Sequence, residues 1–158
     1  HMSLKQKILN RLIQDLEDEL SVIKDAAKHS KELVGEADLR QESKYDTRAI
    51  EASYLASAQL KRVEELELDI QMLKEVEIHD AHTVEMGSLV TILHNGQARL
   101  HFLSPVSGGN ILEIEGQPVL IISVFSPIGA EAIGLSVGDS FEVETPKGNR
   151  LYEIREIH

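Results

Sequence analysis

Residues 9–34 read LNRLIQDLEDELSVIKDAAKHSKELV, and their apolar side chains recur at alternating intervals of four and three residues. This spacing places a narrow apolar seam along one side of a helix, which is typical of coiled-coil packing. A second segment of the chain repeats the pattern. The seam positions are Leu9, Ile13, Leu16, Leu20, Ile23, Ala27, Ser30 and Val34 in the first segment, and Tyr45, Ala49, Ala52, Ala56, Gln59, Val63, Leu66, Ile70 and Leu73 in the second. We therefore expect an antiparallel helical hairpin with its bend at residues 35–38.

The glycines and prolines divide the chain into two parts. All four prolines and nine of the ten glycines follow residue 76, so Gly35 alone interrupts the first half. We expect a hairpin domain at 1–76 and a small β-rich domain at 77–158, which together give an α+β fold. The elements expected in the second domain are strands at 89–93 and 97–103 around an Asn95-Gly96 turn, a strand at 118–125, a helix at 128–133 after Pro127, and a closing hairpin from strands at 140–145 and 150–157.

Composition excludes several classes of protein. The 158 residues include no cysteine, so a disulfide framework, a thiolate metal site and a cysteine nucleophile are ruled out. The net charge of −11 argues against unaided binding to a nucleic-acid backbone, so any contact with DNA or RNA is expected to be indirect. The longest apolar run, 118–125, is far shorter than the ~20 residues that cross a membrane. A cytoplasmic protein without membrane contact is expected.

Charged residues cluster around the predicted bend. The acidic members are Glu36, Asp38, Glu42 and Asp46, and the basic members are Arg40, Lys44 and Arg48. Asp38 and Glu42 are four residues apart, which would place both carboxylates near one face at the start of the second helix, where they could share a Mg²⁺ ion. The segment Asp38-Leu39-Arg40-Gln41 also fits a capping box, in which Asp38 accepts hydrogen bonds from first-turn amides. The two roles are compatible.

Three motifs of the second half, together with the charged bend, resemble the bacterial GreA/GreB family of transcript-cleavage factors. The matching segments are Ser123-Val124-Phe125-Ser126-Pro127-Ile128-Gly129, Val137-Gly138-Asp139, Glu142-Val143-Glu144-Thr145-Pro146-Lys147-Gly148 and, in the first half, Asp38-Leu39-Arg40 followed by Tyr45. The resemblance covers nearly the whole chain and is most specific in its second half.

The resemblance implies a function in transcription. It implies that an FKBP-like second domain binds the rim of the secondary channel of bacterial RNA polymerase through Ser126, Pro127, Ile128 and Gly129. The hairpin would then place its tip beside the catalytic Mg²⁺ of the polymerase, which hydrolyses the 3′ end of a backtracked transcript. The protein itself would be a monomeric accessory factor and not an enzyme. It would carry no cofactor of its own and would meet RNA only at the tip.

The tip departs from the family pattern. The family reads Asp-Leu-x-Glu-Asn, whereas this chain has Gln41 at the second acidic position and Glu42 one residue later, about 100° further round the helix. Asp38 is thus the expected contact to the polymerase Mg²⁺ and Glu42 the second candidate, with Glu36, Gln41, Tyr45 and Asp46 around them. In addition, Phe125 replaces the polar Asn or Asp that commonly precedes the Ser-Pro pair. These departures favour a factor that modulates or inhibits synthesis over one that stimulates cleavage.

Two other classes of function remain open. An FKBP-like domain suggests a prolyl isomerase or chaperone, but that activity needs an aromatic-lined pocket. The aromatic residues of the second half are few and scattered: Phe102, Phe125, Phe141 and Tyr152. A coiled-coil adaptor that dimerises through its seam is the other class. It would show helicity that depends on concentration, whereas the hairpin predicts a stable folded monomer.

Overall fold

The computed structural model describes residues 2–39 and 47–158, and their side chains except at 27, 30–39 and 47–55. Helix α1 spans Leu4–Leu39, and helix α2 spans Thr47–Lys74. The bend predicted at 35–38 is therefore wrong, because α1 continues through Gly35. A glycine within a helix costs about 1 kcal/mol relative to alanine, and the cooperative turns of a long helix outweigh that cost. Asp38 likewise lies inside α1 and is not the N-cap of the second helix. The connection, 40–46, falls outside the described residues.

The seam of the hairpin is confirmed wherever its side chains are described. Within the compact unit Ile13–Gln71, Leu66 and Ile70 are buried, and the other described seam residues are half-buried. Apolar residues off the seam, Val22, Leu60 and Leu68, are exposed. Burial thus follows the coiled-coil spacing and does not follow hydrophobicity alone.

Ion pairs link the two helices within this unit. The Arg62 Nη2 and Nε atoms donate to Glu19 Oε1 at 2.8 and 3.2 Å. The Lys24 Nζ atom lies 3.3 Å from Glu67 Oε1. All four side chains keep 40% or more of their surface exposed, so each pair is expected to contribute under about 1 kcal/mol to stability. The seam, and not these ion pairs, is the main source of helix pairing.

The second half forms a six-stranded mixed sheet with one short helix. The elements are β1 (Leu89–His94), β2 (Gln97–Ser104), β3 (Ile111–Ile114), β4 (Gln117–Ser123), α3 (Pro127–Ala132), β5 (Ser140–Thr145) and β6 (Gly148–Ile157). The strand order is β3-β4-β2-β1-β6-β5, in which β2 and β4 pair in parallel and all other neighbours are antiparallel. The parallel pair places the end of β4, and so the start of α3, beside the end of β2.

The two predicted β-hairpins and the short helix are confirmed. Asn95 and Gly96 have φ angles of 51° and 74°, the pair of positive values that a tight type I′ turn requires. The strand expected at 118–125 is β4, which is two residues shorter at its end. Strand β3 was not predicted, because four residues are too few to show an alternating pattern.

The sheet carries apolar side chains on both faces. One face and α3 enclose a core made of Val84, Val90, Ile92, Leu103, Ala132, Phe141, Val143, Tyr152 and Ile154. The opposite face buries Leu89, Phe102, Val119 and Ile121.

Met72–His158 form one compact unit together with the start of α1, up to Leu12. The compact units thus divide within both helices, whereas the expected domains, 1–76 and 77–158, divide where helix gives way to strand.

Two contacts within this larger unit hold the start of α1, the first against the segment that follows α2 and the second against the turn between β3 and β4. The Lys5 Nζ atom donates to the backbone carbonyl of His79 at 2.8 Å, and Lys7 forms an ion pair with Glu115.

Neither helix of the described ranges, 4–39 and 47–74, is long and apolar enough to cross a membrane.

Candidate functional site

The start of α3 is built around Ser126. This residue is the N-cap, with an extended backbone at φ −73° and ψ 160°, and its Oγ accepts a hydrogen bond from the Gly129 amide at 3.2 Å. The same hydroxyl donates to the carbonyl of Ser123 at 2.7 Å. Pro127 follows in the first helical position, where its fixed φ suits a helix and its missing amide costs nothing. Ser126 and Pro127 therefore shape this turn.

Gly129 allows α3 to lie against the end of β4. A Cβ atom at this position would stand 2.0 Å from the backbone oxygen of Ser123 and 3.1 Å from the Cα of Val124. These neighbours are backbone atoms and cannot move aside easily. Gly129 is also buried, so it offers no side chain to a partner.

The four predicted docking residues thus lie together but differ in what they expose. Ser126 and Gly129 hold the turn through internal contacts, whereas Pro127 is exposed. Ile128 is half-buried, packs against the α3 core and also lines a surface groove. Pro127 and Ile128 are consequently the apolar side chains of the four that a partner can touch, and Ser126 also borders the groove.

An apolar groove of about 680 Å³ lies beside α3 on the core side of the sheet. The apolar residues along it include Val106, Ile111, Leu120, Ile122, Pro127, Ile128, Val143, Pro146 and Tyr152. Among the described residues that line it, Tyr152 alone is aromatic, and its ring stacks on Phe141 at 5.2 Å and on His94 at 4.5 Å between centroids. Ile111, on the edge strand β3, is 66% exposed. A groove of this kind suits an apolar side chain from another protein.

Sequence reasoning missed the strand residues of this groove. Alternation along β4 and β6 indicates which residues share a face, but it does not show how much of that face α3 leaves uncovered. The length of α3 was the available signal. Its six residues are too few to cover a sheet of six strands.

The predicted tip residues fall largely outside the described structure. Glu36 and Asp38 belong to the last turns of α1, and their side chains are not described. Gln41, Glu42, Tyr45 and Asp46 lie in 40–46, outside the described residues. In the ranges 2–39 and 47–158, the side chains that are described form no group of three or more metal-ligating residues. The carboxylate geometry of the tip therefore stays a prediction.

Two histidines of the larger unit have shifted titrations. The ring nitrogens of His79 lie 3.0 Å from the Asp80 carbonyl and 2.7 Å from Glu85 Oε1, both of which are acceptors. The hydrogen bond to Asp80 and then the charge of Glu85 raise the pKa of His79 above its ordinary 6.5. Burial lowers the pKa of His101, although its Nδ1 atom donates to the Arg99 carbonyl at 2.9 Å.

Sequence comparisons with known proteins give one family. Residues 79–158 match the family model described as "Transcription elongation factor, GreA/GreB, C-term". The chain is 31% identical over 152 residues to transcription elongation factor GreA of Christiangramia forsetii, covering 92% of this chain and 91% of the relative. It is 29% identical over 152 residues to transcription inhibitor protein Gfh1 of Thermus thermophilus, covering 94% and 91%. A crystal structure of Gfh1 from that organism aligns with 92% of this chain and 94% of its own at 21% identity, with a TM-score of 0.38.

Proposed function

The chain belongs to the GreA/GreB family of transcription elongation factors, which act on RNA polymerase, and we propose that it inhibits or modulates elongation from the secondary channel of the enzyme. In this proposal the sheet unit binds the channel rim and the hairpin tip enters toward the catalytic Mg²⁺. The protein is an accessory factor, and it works in the cytoplasm because bacterial transcription takes place there.

The apolar groove beside α3 is the observation that carries the docking half of the proposal. It lies wholly within 79–158, the part of the chain that the family model matches. Pro127 and Ile128 border it, so a partner seated in the groove would also touch the start of α3. Ser126 and Gly129 would contribute by holding that start in place.

The tip half of the proposal rests on the chemistry of the residues. Mg²⁺ prefers anionic oxygen ligands, which Asp38 and Glu42 supply and the neutral amide of Gln41 does not. With the second acidic residue one position later in the sequence than in the family pattern, we expect the tip to occupy the channel but to support cleavage poorly. One relative is named as a transcription inhibitor, which is consistent with this outcome. The protein needs no metal of its own, because the Mg²⁺ would belong to the polymerase.

A transcription assay on stalled bacterial elongation complexes tests the tip. The unmodified protein should slow elongation and release little cleaved RNA. Gln41→Glu, which restores the acidic position of the family pattern, should raise cleavage severalfold, and Asp38→Asn should lower whatever cleavage occurs. Glu64→Gln, at an exposed carboxylate of α2, is the matched control and should change neither activity. Robust Mg²⁺-dependent cleavage by the unmodified protein that survives Asp38→Asn would contradict this role of the tip.

A further inference from the structure

Phe125 stands out among the apolar side chains of the surface. It is 74% exposed, more than any other large apolar side chain that the structure describes. It lies between the end of β4 at Ser123 and the start of α3 at Pro127. Leaving a phenyl ring in water forgoes roughly 2 kcal/mol of burial free energy, and folding recovers little of it here. Single exposed apolar residues are common on protein surfaces, so the feature that distinguishes Phe125 is this exposure at the start of α3, beside the groove.

The backbone around Phe125 is held on both sides. The Phe125 amide donates to Ser123 Oγ at 3.0 Å, and the Ser126 amide donates to the Ser123 carbonyl at 3.0 Å. On the other side, the Val124 amide donates to the Ser104 carbonyl at 3.0 Å, and the Val124 side chain packs on the α3 core. The ring is thus held out by an ordered turn. Little conformational entropy of this turn would be lost when a partner binds the ring.

The position of Phe125 points to the partner that the proposed function names. It directly precedes Ser126, Pro127 and Ile128, which line the groove. Aromatic residues that become buried at an interface commonly supply a large share of the binding energy. Residues 77–158 contain 11 Asp and Glu against 4 Lys and Arg, so an apolar recess with basic surroundings on the partner would fit this surface.

We propose that Phe125 is an apolar anchor that inserts into a recess of RNA polymerase next to the groove contact. The inference rests on the proposed function and adds to it, because Phe125 is a binding residue separate from the Ser126–Gly129 turn. The ring would contribute affinity and would restrict binding to polymerases that offer a matching recess.

Binding of the full chain, labelled at its N-terminus, to purified bacterial RNA polymerase tests the anchor. Phe125→Ala should weaken binding about tenfold or more, as truncation of an interface anchor does. Phe125→Leu should retain most of the affinity, because it keeps an apolar side chain. Leu151→Ala is the matched control. Leu151 is 59% exposed on β6 and does not line the groove, so binding should not change.

Salt and self-association separate the possible outcomes. The fold-change between Phe125→Ala and the unmodified chain should persist as salt is raised, because an apolar contact is not screened. Equal binding by Phe125→Ala, with the unmodified chain still bound, would overturn the anchor and leave the proposed function standing. So would a self-association that Phe125→Ala abolishes without affecting polymerase binding. Failure of the unmodified chain to bind polymerase would overturn both.

Discussion

His79 and His101 show at the residue scale how local surroundings set charge. His79 is exposed and offers hydrogen bonds to two acceptors, which favour its protonated form. His101 is 6% exposed, and burial favours its neutral form. The stability that the His79 contacts provide is fully present below pH 6.5 and is lost as pH rises through the folded-state pKa. His101 has the opposite pH dependence. Its folded-state pKa lies below that of the unfolded chain, so the stability that its neutral form provides is lost as pH falls from 6.5 through the folded-state pKa.

We predict that an NMR titration of the ring protons will place His79 above pH 6.5 and His101 below it. Glu85→Gln should lower the pKa of His79, because it removes the neighbouring negative charge, and should leave His101 unchanged. A His79 pKa that does not respond to Glu85→Gln would show that the ion pair does not form in solution.

At the scale of one element, α3 is defined by how closely it approaches β4. The helix has six residues, too few to be stable alone, so its geometry comes from the Ser126 cap and the contact at Gly129. The backbone oxygen of Ser123 already accepts hydrogen bonds from Ser126, and it occupies the space a Gly129 side chain would need.

Gly129→Ala should consequently destabilise the fold by about 1–3 kcal/mol, the range found for overpacked sites. Thermal unfolding followed by circular dichroism measures the effect. Ala130→Ser, an exposed change in the same helix, should alter stability by less than about 0.5 kcal/mol. Equal melting of the two variants would show that α3 lies further from β4 than described.

At the scale of the whole molecule, the open groove is an apolar surface of the sheet unit that no described side chain fills. Ile111 and Leu151 allow a matched comparison, since both are exposed apolar strand residues and only Ile111 lines the groove. Ile111→Glu should weaken binding to RNA polymerase about tenfold, because it brings a charge into an apolar contact, while Leu151→Glu should not. Equal binding by the two variants would place the docking surface elsewhere.

The parts of this molecule that were predictable from sequence depend on local chemistry. The Asn95-Gly96 turn, the cap at Ser126 and the helical seam each follow from neighbours along the chain. The bend was predicted at the wrong place because of Gly35. A glycine allows a helix to end but does not require it to, and α1 continues through this residue. The groove could not be predicted from local sequence. Its position depends on where the six-residue helix α3 packs against a sheet whose six strands come from different parts of the chain.

The hydrogen-bonded turn at residues 123–126 also has a consequence for evolution within the family. The contacts of Ser123, Ser126 and Gly129 stabilise the fold. A change at any of these residues is therefore expected to lower stability, whichever partner the protein binds. Phe125 contributes only its backbone amide to those hydrogen bonds, so replacing its side chain is expected to cost little folding free energy. Residue 125 can therefore change while the residues around it stay the same. Related factors could in this way come to prefer different partners and still keep the same fold.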